Sequence, residues 1–281
     1  MLLIHGLGST GIQWIHQVEA LEARFRLLVP DLPGSGRSRP PVEEYSIAGL
    51  GAWLWSFIDG LGIPRINIAG FSMGGAIALE MALQHPDRVS RLILINSLAS
   101  YRLDHWRKWR ERLVPALLIP LIGRRNTAAL TARRLFPHPW QGALRARAVD
   151  VITSVPTDTY FALGRALTRW AAVDRLSRVR SKTLVIAAEE DFTPLDEKRL
   201  LACELRARLV VIRGSRHGTP FDSVRATNAL LCAFLLDQPL PPPEQCVCDS
   251  FHDPLPPASP IPCLTGTMRS TALSGVQEEA T

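Results

Sequence analysis

The sequence predicts an α/β protein with a mostly parallel sheet that is flanked by helices. Short apolar runs rich in branched residues alternate with helical patterns over residues 1–97, and the alternation returns over residues 180–237. Strands that alternate with helices form parallel sheets covered on both faces. The 281 residues are 47% hydrophobic, which suits one large domain, or a domain with an inserted subdomain, around a sizeable core.

The individual elements follow from the periodicity of the apolar residues. The predicted strands cover residues 2–4, 25–29, 66–69, 89–95, 182–186 and 209–212. The predicted helices cover residues 12–22, 46–61, 75–84, 195–205 and 221–236. Ser46 is a typical N-cap residue for the second of these helices.

Residues 98–179 break the alternation and are predicted to form a helical lid inserted between the two parts of the sheet. The segment is rich in Arg and Trp, and prolines at positions 115, 120, 137, 139 and 156 are expected to divide it. Residues 102–180 hold fifteen Arg and one Lys against five acidic residues, although the net charge of the whole chain is only +6. This excess would attract an anionic substrate or an anionic membrane surface. A solvated arginine-rich face is the simpler interpretation.

Composition limits the other classes of function. Residues 113–122 are apolar but too short to span a bilayer, so no transmembrane segment is predicted. The five cysteines lack zinc-site spacing with histidines, so no metal is expected, and no cofactor is expected either. An odd cysteine count without an export signal favours a reducing, cytoplasmic location. Residues 238–281 are dense in proline and are predicted to form a disordered tail.

The segment Gly70-Phe71-Ser72-Met73-Gly74-Gly75 connects a predicted strand to a predicted helix. Ser72 would stand at the apex of a sharp turn, with glycines two positions before and after it, where larger side chains would collide. Its hydroxyl would lie at a helix N-terminus, where free N–H groups stabilise negative charge. The pattern therefore predicts a nucleophile elbow with Ser72 as the candidate nucleophile.

A serine nucleophile needs a base, and the base needs an orienting carboxylate. Asp191 follows the strand at 182–186, and His217 follows the strand at 209–212. Loops at the carboxyl ends of parallel strands meet at one edge of the sheet. The order Ser72, Asp191, His217 is therefore consistent with a catalytic triad, although Glu189, Glu190 or Asp196 could be the acid instead.

The chain resembles the α/β-hydrolase superfamily over about residues 2–236, in its lidded branch of esterases, enol-lactonases and cofactor-free peroxidases. The matching motifs are His5-Gly6, Asp31-Leu32-Pro33-Gly34-Ser35-Gly36-Arg37-Ser38, Gly70-Phe71-Ser72-Met73-Gly74-Gly75, Asp191 and His217. Ala188 stands where the family has glycine in its Gly-x-x-Asp motif. The resemblance implies that Ser72 is the nucleophile, His217 the general base and Asp191 its partner. The backbone N–H groups of Leu7 and Met73 would form the oxyanion hole.

The resemblance implies a serine hydrolase that cleaves a carboxylic ester, thioester or lactone through an acyl-enzyme. A C–C bond hydrolase or cofactor-free peroxidase on the same triad is an alternative, and so is a non-catalytic ligand-binding relative. The expected partner is a small molecule rather than a nucleic acid. The acyl and alcohol groups of the substrate and the oligomeric state are not predicted.

The family resemblance also leads us to expect two strands ahead of the strand that ends in His5-Gly6, and these strands are apparently missing. Residues 25–29 would then be an edge strand guarded only by Arg26. Because an exposed apolar edge invites pairing with another chain, we expect the 281-residue chain to associate through this segment.

Overall fold

The computed structural model describes residues 1–41, 44–104 and 106–249, apart from the side chains of residues 107, 108, 111 and 112. These residues form one sheet of five parallel strands, whose order in space is their order in the chain. The strands are β1 (Leu2–Ile4), β2 (Ile66–Phe71), β3 (Val89–Ile95), β4 (Lys182–Ala188) and β5 (Arg208–Ile212). The predicted α/β architecture with a parallel sheet is confirmed.

Helices cover both faces of the sheet. The helices of the sheet domain are α1 (Ile15–Leu21), α2 (Ile47–Gly60) and α3 (Met73–Gln84), with α8 (Leu195–Glu204), α9 (Thr219–Asp222) and α10 (Val224–Leu235) after the insertion. Helices α2 and α3 pack on one face with Leu2 and Ile4, whereas α1 and α10 pack on the other with Leu3. Alternate residues of one strand thus enter two separate cores, as the pleat requires.

The segment between β3 and β4 is helical, as predicted. It contains α4 (Trp106–Ile122), α5 (Arg124–Leu135), α6 (Gly142–Ser154) and α7 (Thr157–Arg169). Its end is tied to α3 by the buried Glu80, which accepts hydrogen bonds from Trp170 Nε1 (2.8 Å) and from Arg175 (2.8 and 3.0 Å). Arg175 and Trp170 outweigh the effect of burial and hold the pKa of Glu80 below its usual value.

The expectation that Pro115 and Pro120 break this segment is wrong, because α4 runs through both of them. Pro115, Leu118 and Ile119 recur at helical spacing and face one cavity, so a continuous helix buries the apolar face of this stretch. In the part of the chain that the structure describes, none of the helices has the length and hydrophobicity needed to cross a membrane.

The predicted strand at 25–29 is also wrong in extent. Leu28 forms an isolated bridge to the sheet: its N–H donates to Met1 O (2.8 Å), and its carbonyl accepts from Leu3 N (2.9 Å). The Met1 amino group also donates to Arg26 O (2.6 Å). The ladder is short because β1 itself has only three residues. Leu28 does lie at the edge of the sheet beside β1, while the upstream strands and association through residues 25–29 stay predictions.

The predicted disorder of residues 238–281 is wrong for residues 238–249, and the remainder lies outside the described residues. Residues 243–245 form a 3₁₀ turn, and Cys246 and Cys248 are buried. Arg213 N donates to Cys246 O (3.0 Å), and Cys248 N donates to Arg213 O (2.9 Å), so the chain returns beside the end of β5. Asp249 then accepts from Val224 N (2.6 Å) at the start of α10. Residues 238–249 are ordered because their backbone and the Asp249 carboxylate form hydrogen bonds with Arg213 and Val224.

Candidate active site

The turn between β2 and α3 has the geometry of a nucleophile elbow. Ser72 has φ 54° and ψ −118°, a strained conformation for a residue with a side chain. A Cβ on Gly70 would lie 2.1 Å from Gly74 O, and one on Gly74 would lie 2.2 Å from Ile4 O. Both glycines are therefore required by the close approach of backbone segments. The turn leaves the Ser72 hydroxyl at the N-terminus of α3, facing a cavity.

The structure brings Ser72, His217 and Asp191 into one hydrogen-bonded chain. His217 Nε2 lies 3.0 Å from Ser72 Oγ, and His217 Nδ1 lies 2.8 Å from Asp191 Oδ1. The Asp191 side chain is 1% exposed and that of His217 is 9% exposed. In this arrangement, the imidazole Nδ1–H can donate to the carboxylate while Nε2 accepts the hydroxyl proton.

Asp191 is held by more than the imidazole. Its Oδ2 accepts from Thr193 Oγ1 (2.6 Å) and pairs with the ammonium of Lys198, which is completely buried. Burial favours the neutral acid, but His217 and Lys198 outweigh it and hold the pKa of Asp191 well below its usual range. Lys198 was not predicted as a site residue. Its only sequence signal is its position seven residues after Asp191, in the second turn of α8.

The other acidic candidates are engaged elsewhere. Glu190 pairs with Arg216 (2.5 Å), and Asp196 pairs with Arg199 (2.8 Å), both at the surface. Glu189 accepts from Gly214 N (2.8 Å) and so braces the loop that precedes His217. Among the four acidic residues considered from the sequence, Asp191 is therefore the one that contacts the imidazole.

The His217 ring is fixed between two aromatic side chains. Its centroid lies 4.1 Å from that of Phe192 and 5.0 Å from that of Phe71. Below the loop, the buried Asp222 accepts from Ser215 Oγ (2.7 Å) and from Arg216 N (3.1 Å). Burial raises the pKa of Asp222 to about 6. The loop that carries the base is thus held from both sides.

Leu7 and Met73 are the predicted donors of the oxyanion hole, and this role stays a prediction. The Met73 N–H is in the first turn of α3 and has no intrahelical acceptor. Leu7 lines the cavity together with Ser72. The preceding His5 is buried: Leu32 N donates to its Nε2 (3.0 Å), so its Nδ1–H donates to Gly6 O (2.9 Å). Burial lowers the pKa of His5 to about 4, so a neutral imidazole shapes this loop.

Residues Gly6 to Gly11 also match the G-x-G-x-x-G spacing of dinucleotide sites. In the structure, their amides serve the chain itself, because Gly6 N donates to Gln13 Oε1 (3.1 Å) and Gly11 N to Asp31 Oδ1 (2.8 Å). A 3₁₀ turn follows rather than a long helix. Asp31 also accepts from Arg37 N (3.0 Å), as a turn residue would. These residues therefore do not fit a dinucleotide. Within the described residues, no three His, Cys, Asp or Glu side chains cluster as a metal site would require.

Asn96, which the sequence analysis did not single out, connects the loops of the site. It follows β3 with φ 47°, and its Oδ1 accepts from Ala188 N (2.7 Å) at the end of β4. Its Nδ2 donates to Thr219 Oγ1 (2.7 Å) and to His217 O (3.0 Å). One buried amide thus links β3, the loop of the acid and the loop of the base. The one local signal is an Asn at a strand end, which tolerates φ > 0.

A cavity of about 300 Å³ lies above Ser72 and His217. Its walls are mostly apolar side chains from α4, α5, α6 and α7, so the helical insertion forms its roof. Tyr101 stands beside the serine, where its hydroxyl lies 3.2 Å from Ser97 Oγ and accepts from Leu98 N (3.3 Å). Burial raises the pKa of Tyr101, which therefore stays neutral. A substrate here would be surrounded mostly by hydrocarbon, with its reacting group at the floor beside Ser72 and His217.

Comparison with known proteins identifies the family. The family model described as alpha/beta hydrolase fold matches residues 1–224. The chain belongs to the alpha/beta hydrolase family.

Individual relatives agree with this placement. The chain is 32% identical over 246 residues to a protein of Caulobacter sp. (strain K31) named "Putative carbamate hydrolase RutD", covering 84% of this chain and 90% of that protein. It resembles the crystal structure of the enol-lactonase from Burkholderia xenovorans LB400 (TM-score 0.75, 27% identity, 84% and 90% coverage). It also resembles a thermophilic esterase from Thermogutta terrifontis (TM-score 0.74, 26% identity, 84% and 89% coverage).

Proposed function

We propose that the chain is a serine hydrolase that cleaves a carboxylic ester, thioester or lactone through an acyl-enzyme. The observation that supports this function is the hydrogen-bonded chain from Ser72 Oγ to His217 Nε2 (3.0 Å) and from His217 Nδ1 to Asp191 Oδ1 (2.8 Å), at the floor of a mostly apolar cavity. An ordinary buried serine needs neither an imidazole partner nor a strained backbone.

The proposed reaction has two halves. In the first, Ser72 Oγ attacks the carbonyl carbon of the substrate while His217 Nε2 takes the hydroxyl proton. When the tetrahedral intermediate collapses, the carbonyl–oxygen or carbonyl–sulfur bond breaks, and His217 returns the proton to the leaving group. In the second half, His217 takes a proton from water as the water attacks the carbonyl carbon of the acyl-enzyme. The bond between Ser72 Oγ and the acyl carbon then breaks, and His217 returns the proton to Ser72 Oγ as the acid is released. Asp191 remains ionised and stabilises the imidazolium in both halves.

The negative charge of each intermediate would be stabilised by the N–H groups of Leu7 and Met73. The Met73 amide adds the positive end of the α3 dipole to its hydrogen bond. One such donor contributes about 3–4 kcal/mol of transition-state stabilisation. Because this interaction strengthens only as charge develops on the oxygen, it accelerates the reaction rather than merely binding substrate.

Covalent labelling tests the proposal. Wild-type protein should react with a fluorophosphonate probe and give a burst of p-nitrophenol from p-nitrophenyl butyrate. Ser72→Ala should lose both the labelling and the burst, with little change in melting temperature. Ser9→Ala is the matched control, because Ser9 lines the same cavity without contacting His217. Retained labelling of Ser72→Ala would reject Ser72 as nucleophile, and an unreactive wild-type protein would favour the ligand-binding alternative.

A library of substrates can identify the type of bond that the protein cleaves. Esters, thioesters and lactones should be compared with carbamates, because the Caulobacter relative is named for carbamate hydrolysis. A carbamate also presents a carbonyl carbon to Ser72. The thiols of Cys203, Cys232 and Cys246 form no disulfide with any described residue, which supports a cytoplasmic, reducing location.

A further inference from the structure

The walls of the cavity are mostly apolar, and the arginines among its described lining residues give it a positive charge. Arg124, Arg134 and Arg147 line it, and none of the described residues that line it is acidic. Two of these arginines, Arg124 and Arg147, make no ion pair with any described residue. A cation that faces an apolar space without a counter-ion is costly, so such a side chain is typical of a site for an anion.

Arg124 is fixed and only partly satisfied. Its Nη1 donates to Thr157 Oγ1 (2.9 Å) and its Nη2 to Ile152 O (2.5 Å), so it joins α5 to α6 and α7. Its Nε is buried without a hydrogen-bond partner in the described part of the chain. Burial also lowers the pKa of Arg124. The guanidinium is therefore held in place by neutral groups and is left with unused donors.

The position of Arg124 relates it to the reaction centre. Its Cζ lies 5.6 Å from the centroid of Tyr160, and Tyr160 packs on Gly8, beside the predicted oxyanion residue Leu7. Arg147 lies on α6, five residues before Ile152, and faces the same cavity. Arg124, Arg147 and Ser72 line one cavity whose other side chains are mostly apolar. An anion held by the two arginines would thus be connected to the reacting carbonyl by a hydrocarbon chain.

We propose that the substrate is an amphiphilic anion, an ester whose apolar chain carries a carboxylate that binds Arg124 and Arg147 at the roof of the cavity. The idea rests on the proposed hydrolase function for the reaction itself. It extends that function because it specifies the charge of the substrate and the place where this charge binds.

The test compares anionic and neutral substrates of equal chain length. p-Nitrophenyl hemiesters of succinate, adipate and suberate are measured against p-nitrophenyl butyrate, hexanoate and octanoate. A mirror series carries the carboxylate on the alcohol part. At one chain length, the wild type should prefer the anion by about ten- to a hundredfold in kcat/KM, which is typical of a charge-assisted hydrogen bond. The preference should fall towards one in Arg147→Gln and Arg124→Gln.

Arg125→Gln is the matched control. It removes the same charge from the same helix, but Arg125 is exposed, does not line the cavity, and pairs with Asp150 (3.5 Å). Its ratio of anionic to neutral kcat/KM should equal that of the wild type. Because Arg124→Gln also removes two hydrogen bonds of the insertion, Arg147→Gln provides the variant that leaves those bonds intact.

Binding to Ser72→Ala separates this inference from the proposed function. Calorimetry should detect monomethyl adipate binding at least tenfold more tightly than methyl hexanoate, and Arg147→Gln should remove the difference. If the protein cleaves no ester but this difference is present, the anion site stands and the hydrolase proposal fails. Cleavage of neutral esters with no anion preference in either series, or equal binding of the two methyl esters, would overturn the inference.

Discussion

Replacing Lys198 with methionine should destabilise the protein and shift its pH–rate profile. Lys198 and Asp191 are both buried, and Asp191 Oδ2 uses the ammonium as one of its partners. Removing one member of a buried pair leaves an uncompensated charge, which costs about 3–5 kcal/mol. Such a loss is a large part of the free energy of unfolding of a typical domain.

The effect on catalysis follows from Coulomb's law. The Lys198 ammonium pairs with Asp191 Oδ2, while His217 Nδ1 lies at Asp191 Oδ1. A nearby opposite charge favours the ionised carboxylate, so His217 and Lys198 together hold the pKa of Asp191 well below its usual range. Without Lys198, the carboxylate should be protonated at a higher pH. The acidic midpoint of kcat/KM should therefore move upwards in Lys198→Met.

Urea unfolding and a pH–rate profile of p-nitrophenyl butyrate cleavage measure the two effects. Lys182→Met is the control, because Lys182 is an exposed lysine that pairs with the exposed Asp237. The double variant Lys198→Met/Asp191→Asn should recover stability relative to Lys198→Met without recovering activity, because it removes both charges. An unchanged midpoint in the single variant, or a double variant less stable than either single one, would refute the reasoning.

Three other outcomes follow from the structure. Asp191→Asn should lower kcat by about 10⁴-fold, as expected when the carboxylate of a triad becomes an amide. Glu190→Gln loses only a surface ion pair with Arg216 and should retain most activity. A large loss of kcat in Glu190→Gln would instead make Glu190 the catalytic acid. Two truncated proteins, ending at residue 237 and at residue 249, should differ in stability. The shorter one should have a free energy of unfolding lower by about 2–4 kcal/mol, because it lacks two buried cysteines and the Asp249 cap of α10. Equal melting temperatures of the two proteins would contradict this. Burial lowers the pKa of His5 to about 4, so the unfolded chain, with a pKa of about 6.5, binds a proton more readily than the folded one. The free energy of unfolding, measured with urea, should therefore fall by about 2–3 kcal/mol between pH 7 and pH 4.5. His5→Gln should lack this part of the pH dependence.

The features that were predictable from sequence depend on local residue patterns. The elbow needs glycines at fixed offsets from Ser72, and the strand at 89–95 is a continuous apolar run whose predicted bounds match β3. The loops of Asp191 and His217 follow from the alternation of strands and helices. These signals lie within short windows of the chain, and the fold aligns them without further information.

The features that were missed depend on distant partners. Lys198 looks like a surface residue of an amphipathic helix until Asp191 is placed beside it. The tail looked disordered because its composition is rich in proline, yet Cys246 and Cys248 pair with Arg213, which is more than thirty residues away. Helix α4 likewise continues through its two prolines because its apolar face covers the cavity, which lies far away in sequence. Periodicity within one window cannot report such contacts.

The amide of Asn96 has a mechanical consequence. Because it bonds Ala188 N, Thr219 Oγ1 and the His217 carbonyl at once, the loops that carry the acid and the base can separate only if a buried side chain loses several partners together. The roof of the cavity, built on α4 to α7, is not bound by this side chain. Admission of substrate should therefore be a motion of the roof over a floor that keeps its shape. In deuterated buffer, the Ala188 amide should exchange at the rate of global unfolding, while amides of the roof exchange earlier.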